Sequence, residues 1–157
     1  MFKQIDWACD ENVLIAFDRE PVVQVRVIKP TMNKLERQSA KLFPFINKTP
    51  LQVMVYDHKK FKQYNFTIPK NYCWNGSDIP RIFWRIIGSK SEPQYLISSC
   101  LHDWVLENKQ VIDYNRRLST DIFRCCLLEA GVGKVKASIM AESVDLYQRF
   151  CRWGCDK

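Results

Sequence analysis

Apolar and polar residues alternate through the first half of the chain and recur at three- and four-residue steps in the second, predicting strands followed by helices. Val13-Leu-Ile-Ala-Phe17 and Val22-Val-Gln-Val-Arg-Val-Ile28 are rich in β-branched residues. The turn-forming Asp18-Arg-Glu-Pro21 between them predicts a hairpin. Val23, Val25 and Val27 alternate with Gln24 and Arg26, so one face of that second strand is expected to be buried and the other wet. Pro30-Thr31 predicts the start of a polar helix running to about Leu42, closed by Pro44. In the next pair of strands, Leu51, Val53 and Val55 alternate with Gln52 and Met54, and Tyr64, Phe66 and Ile68 with Asn65 and Thr67. The basic tip His58-Lys-Lys-Phe-Lys62 joins these two strands, and Pro69 ends the second.

Beyond it, Lys70 to Pro80 reads as loop, punctuated by Asn75-Gly76 and Asp78-Ile-Pro80. Short apolar Ile79–Ile87 reads as helical, and Pro93 is expected to open the helix that carries His102. Another helix is expected from Asn115 to Ala130, stopped by Gly131-Val-Gly133. The last, from about Lys134 to Trp153, is expected to turn Val135, Ile139, Leu146, Phe150 and Trp153 toward the core. The fold class is therefore α+β, with a small antiparallel β-sheet from the N-terminal half packed on a helical C-terminal half. One domain is expected over 1–157, because no repeat, linker or low-complexity tract interrupts it.

Length and composition suit a single core, with 157 residues, 46% apolar and 26% charged. The net charge of +7, from 24 Lys and Arg against 17 Asp and Glu, is spread along the chain. With no zinc-finger spacing or RNA-binding aromatic signature beside it, that charge supports only weak nucleic-acid binding. Seven cysteines without a Cys-x-x-Cys pair point to thiols buried as small apolar groups in a reducing cytoplasm. Met1-Phe-Lys-Gln-Ile-Asp-Trp7 lacks the apolar run of a signal peptide, and no membrane span is expected.

The candidate chemistry centres on His102-Asp103, which includes one of only two histidines. On a helix, Ser98, Ser99, His102 and Leu106 share a face, and Asp103 points about 100° away beside Ser99 and Cys100. The two neighbours therefore serve different surroundings. As a general base, His102 would need another residue to orient its second nitrogen, and Asp121 near the start of the next helix is the best candidate. The alternative is a core histidine bonded to backbone, with Asp121 paired to Arg117 or Arg124. A metal-dependent His-Asp phosphohydrolase would need another helical His, but His58 sits in the hairpin tip. Asn75 and Gly76 would offer donors to an anion or a developing negative charge. Asp78 reads equally well as a pocket acid or as an N-cap ahead of Pro80.

Phe66-Thr-Ile-Pro69, Asn75-Gly-Ser-Asp-Ile-Pro-Arg81, His102-Asp-Trp-Val-Leu106, Arg117-Leu-Ser-Thr-Asp-Ile-Phe123 and Gly131-Val132 follow one another in a distinctive order. From Phe66 to Val132 the chain resembles a family of small phage and prophage proteins, the domain of unknown function 1353. The family's loop acid is Asn75 here, its Ser is Asp78, and the aromatic residue after His-Asp is Leu106. The His-Asp helix also looks like that of secreted phospholipases, but no Gly-rich loop accompanies it, which sets a lipid substrate aside. The resemblance implies a phage-type protein of the host cytoplasm or the virion.

Two main readings follow. A hydrolase would use His102 as base, Asp121 as its orienter, and Asp103 as a structural acid or a ligand of a divalent cation. Asn75, Gly76, Asp78, Arg81, Ser99 and Arg117 would bind a small substrate. A non-catalytic interaction protein, either a virion component or an inhibitor of a host defence complex, would bind through the basic surface at Lys59, Lys60 and Lys62.

Overall fold

The computed structural model describes residues 5–74 and 95–152, with the side chains of Cys9, Cys151 and Arg152 excepted. Strands β1 (Ile5–Cys9), β2 (Val13–Phe17), β5 (Leu51–Asp57) and β6 (Lys62–Ile68) form an antiparallel sheet ordered β1-β2-β5-β6. A second sheet, ordered β3-β4-β7, joins β3 (Val23–Val25), β4 (Phe45–Asn47) and β7 (Cys73–Trp74). Helices α1 (Lys34–Leu42), α2 (Leu96–Glu107), α3 (Arg116–Glu129) and α4 (Lys134–Tyr147) complete the frame, with a 3-10 turn at Lys109–Ile112 and a π turn at Gln148–Arg152. The α+β class stands.

Alternation along β2, β5 and β6 sends Ile15, Val53, Val55, Phe66 and Ile68 inward. They meet Leu101 and Val105 of α2 and Leu118 and Ile122 of α3 in the main core. A second core lies between α3 and α4, where Phe123 and Leu127 meet Met140 and Val144. Helices α2 and α3 thus pack behind the large sheet, and α4 packs on α3. Cys100, Cys125 and Cys126 are free thiols buried in the main core. Burial pushes the Cys126 thiol well up, which keeps it protonated and inert. Among the described residues, no helix is long and apolar enough to cross a membrane.

Several expectations need correction. The hairpin partner of β2 is β1, and its other edge takes β5, so Val22–Ile28 never pairs with Val13–Phe17. Only Val23–Val25 is strand, paired with β4, and Val25 and Val27 stand in solvent. The pattern of that segment was right for a strand, but its neighbour came from far along the chain. The helix expected from Thr31 starts at Lys34, because a reciprocal cap fixes its end. Asn33 Oδ1 accepts from the Glu36 N–H, and the Glu36 carboxylate accepts from the Asn33 N–H.

The last helix presents the opposite face from the one expected. Val135, Leu146 and Phe150 are exposed, and Ala137, Met140, Ala141 and Val144 are buried. Ala137 and Ala141 share the inward face with Met140 and Val144, which pack on Phe123 and Leu127 of α3. The loop expected before Pro80, the helix at 79–87, the opening at Pro93 and Trp153 lie outside the described residues.

Candidate functional site

Helix α2 places Ser98, Ser99, His102 and Asp103 all in the interior. Ser98 and Ser99 turn their hydroxyls back on their own helix, donating to the carbonyls of Tyr95 and Leu96 at 2.9 and 3.0 Å. The Ser99 hydroxyl also accepts from Trp74 Nε1 at 3.0 Å, pinning the small sheet to α2. Ser99, expected in a binding role, is a brace between elements.

His102 is 1% exposed, and its ring lies 5.1 Å from that of Phe123 on α3. The side-chain amide of Gln148, in the π turn that follows α4, meets His102 Nε2 at 2.5 Å. With the Gln148 nitrogen assigned as donor, Nε2 is the acceptor and the ring proton sits on Nδ1. Asp103 looks elsewhere, as the helical geometry requires. Its charge is felt by Cys100 and Tyr72, both held far up, first by burial and then by neighbouring acids.

Asp121 does not share a hollow with His102. Residues 121 and 123 are separated by about 200° around α3, and Phe123 is the one that meets His102. The Asp121 carboxylate faces the hairpin tip, where Lys59 Nζ donates to it at 3.2 Å. Burial raises its pKa above the ordinary carboxylate value, opposed by Lys59 and Arg117, while Asp10 adds to the rise. The expected His102–Asp121 partnership is thus replaced by two separate pairings, one with Gln148 and one with Lys59.

A polar cluster not expected from the pattern of the chain lies between α3 and α4. Thr120 Oγ1 donates to Asp145 Oδ1 at 2.7 Å, and Arg116 makes an ion pair with the same oxygen at 2.5 Å. Arg117 donates to Asp145 Oδ2 at 3.2 Å and also pairs with Glu142. Burial pushes the Asp145 carboxyl up, but Thr120 and the two guanidiniums outweigh it and hold the carboxyl below its usual value. Arg117, expected to bind a ligand, ties α3 to α4. The available signal was Asp145 itself, an acid set beside Ala141 and Val144 on the inward face of an amphipathic helix.

At the hairpin tip, Lys62 pairs with Asp113 and Lys59 with Asp121, so two of the three expected surface lysines fasten the tip to the helical half. Lys60 remains exposed. Asn75, Gly76, Asp78 and Arg81 lie outside the described residues. Among the described residues, no group of three or more His, Cys, Asp or Glu side chains is placed to hold a metal ion, Asp103 included. Two clefts flank the large sheet. One of about 400 Å³ is lined by Ala16, Gln52, Met54, Asn65 and Thr67, the other of about 560 Å³ by Ile5, Trp7, Glu20 and Ile97.

Against known families, the model described as "Protein of unknown function (DUF1353)" matches residues 51–144, from β5 to the buried face of α4. No curated protein and no solved structure matches the chain.

Proposed function

This chain belongs to the DUF1353 family of proteins of unknown function, and from that premise we propose that it is a non-catalytic interaction protein. The described parts of the family segment, residues 51–74 and 95–144, serve as a frame, and the chain works through its surface. The phage setting that the resemblance implies makes a virion subunit or a host complex the class of partner. One observation carries this reading. His102 is buried with Nε2 engaged by Gln148 and its ring against Phe123. A general base needs its lone pair turned toward a substrate or a water. Here Nε2 is held against an interior amide in a site closed to solvent, and the carboxylate expected to orient the ring is committed to Lys59. Buried polar groups that find internal partners fix packing, which suits a scaffold.

The test is turnover. The purified chain, assayed against chromogenic esters and phosphodiesters with and without Mg²⁺ or Ca²⁺, is expected to give no hydrolysis above the blank. Its His102→Gln variant is expected to melt earlier than the wild type. Hydrolysis that a folded His102→Gln variant loses would overturn the proposal in favour of a His-Asp hydrolase.

A further inference from the structure

Among the described residues, the densest apolar exposure lies outside the family segment. Of the thirteen exposed large apolar side chains among the described residues, seven fall between Val22 and Phe43. Leu35 is 76% exposed and Val27 69%. Leu35 and Leu42 are two turns apart on α1 and project on one face, within about 20° of each other. This helix buries only Ala40. β3 pairs with β4 along one edge, and its other edge meets no strand among the described residues. An exposed apolar patch beside an open strand edge is a binding surface more often than an accident.

Charge indicates what covers it. Between Val22 and Phe43 stand five cations, Arg26, Lys29, Lys34, Arg37 and Lys41, and one acid, Glu36. That segment thus carries a net +4 of the molecule's +7. Arg26 Nη1 donates to the Ser39 hydroxyl and the Phe43 carbonyl, and Arg37 donates to the carbonyls of Met32 and Pro30. All four acceptors are neutral, so both guanidiniums are held in place, and no acid among the described residues pairs with either charge. The Glu36 carboxylate is turned into the helix N-terminus by the Asn33 N–H.

We infer that the β3–α1 face docks an acidic, apolar-bearing segment of another protein. Apolar side chains of that segment pack on Val27, Leu35 and Leu42, and its carboxylates meet Lys29, Lys34 and Lys41. The inference rests on the interaction-protein reading and names the chemistry of its partner. A second copy of this chain would set +4 against +4. A bilayer would cover the leucines but leave the N–H and C=O groups along the β3 edge without partners, whereas a polypeptide can bond them. A nucleic acid would neutralise the cations and leave exposed aliphatic side chains facing phosphate.

Fluorescence anisotropy on the full chain tests this. The probes are a synthetic amphipathic peptide with Leu and Glu at helical spacing, the same peptide with Lys for each Glu, a single-stranded oligonucleotide, and phosphatidylglycerol vesicles. The acidic peptide is expected to bind at micromolar concentration, and the other probes about tenfold more weakly or worse. Leu35→Ser/Leu42→Ser and Lys34→Glu/Lys41→Glu variants should each lose about tenfold in affinity without a change in melting temperature, because these side chains stand in solvent. The inference is overturned if the cationic peptide, oligonucleotide or vesicles bind as well as the acidic peptide. Undiminished binding by the double variants, or a dimer in sedimentation that Leu35→Ser/Leu42→Ser dissolves, overturns it equally. Hydrolysis dependent on His102 removes the underlying reading. Failure of the acidic peptide with no hydrolysis removes only this docking assignment.

Discussion

Replacing Asp145 by asparagine isolates the electrostatic part of the joint between α3 and α4. The amide keeps an oxygen for the Thr120 hydroxyl, which donates at 2.7 Å, so that bond survives. What disappears is the charge facing two guanidiniums. The Arg116 side chain is 24% exposed, so its pair lies between the surface range of about 0–1 kcal/mol and the roughly 3–5 kcal/mol for breaking a buried pair. Arg117 is 48% exposed and has Glu142 as a second partner, so its share falls near the surface value. Together these give about 2–3 kcal/mol of lost stability for Asp145→Asn, or roughly 4–12 °C in melting temperature for a chain of this size. The pH dependence follows from the depressed folded-state pKa. A carboxyl held below its unfolded value contributes stability above that value and loses it as pH falls through the folded one. Urea unfolding followed by circular dichroism should therefore show the full gap at neutral pH and a shrinking one below about pH 4. A variant as stable as wild type at pH 7, or a gap that widens in acid, would refute the reasoning.

Asp121 should behave in the opposite sense. Burial raises its folded-state pKa, so the ionised carboxylate detracts from stability at neutral pH and is relieved as pH falls. Asp121→Asn is expected to unfold at an equal or higher urea midpoint at pH 7 and to lose that advantage in acid. A clearly lower midpoint at pH 7 would mean that Lys59 outweighs burial. Gly131 sits at φ +92° with open space where a Cβ would go, so Gly131→Ala meets backbone strain but no clash. It should cost about 1 kcal/mol, a melting decrease of roughly 2–4 °C, and an unchanged melt would show that the helix end relaxes.

The pattern of the chain sufficed for whatever depends on neighbours in sequence. Alternation at Leu51–Val55 and Tyr64–Ile68 fixed the central hairpin, and the segments around His102 and Asn115–Ala130 were identifiable as helices from residue type and punctuation alone. The 100° offset between His102 and Asp103 also followed from helical geometry, and their surroundings differ as it required. Which elements meet was decided in three dimensions. β2 took β1 and β5 in place of the nearer Val22 strand, and α4 turned its alanines inward where its large residues had suggested the reverse. The partners of the charged side chains were settled the same way. Gln148 and Lys59 lie 46 and 62 positions from the groups they engage, and no local pattern encodes such separations. Periodicity specifies an element and its apolar face. The partner of a buried polar atom is whichever donor or acceptor the packed helices bring within about 3 Å, and that depends on crossing geometry set by side-chain size across the whole core.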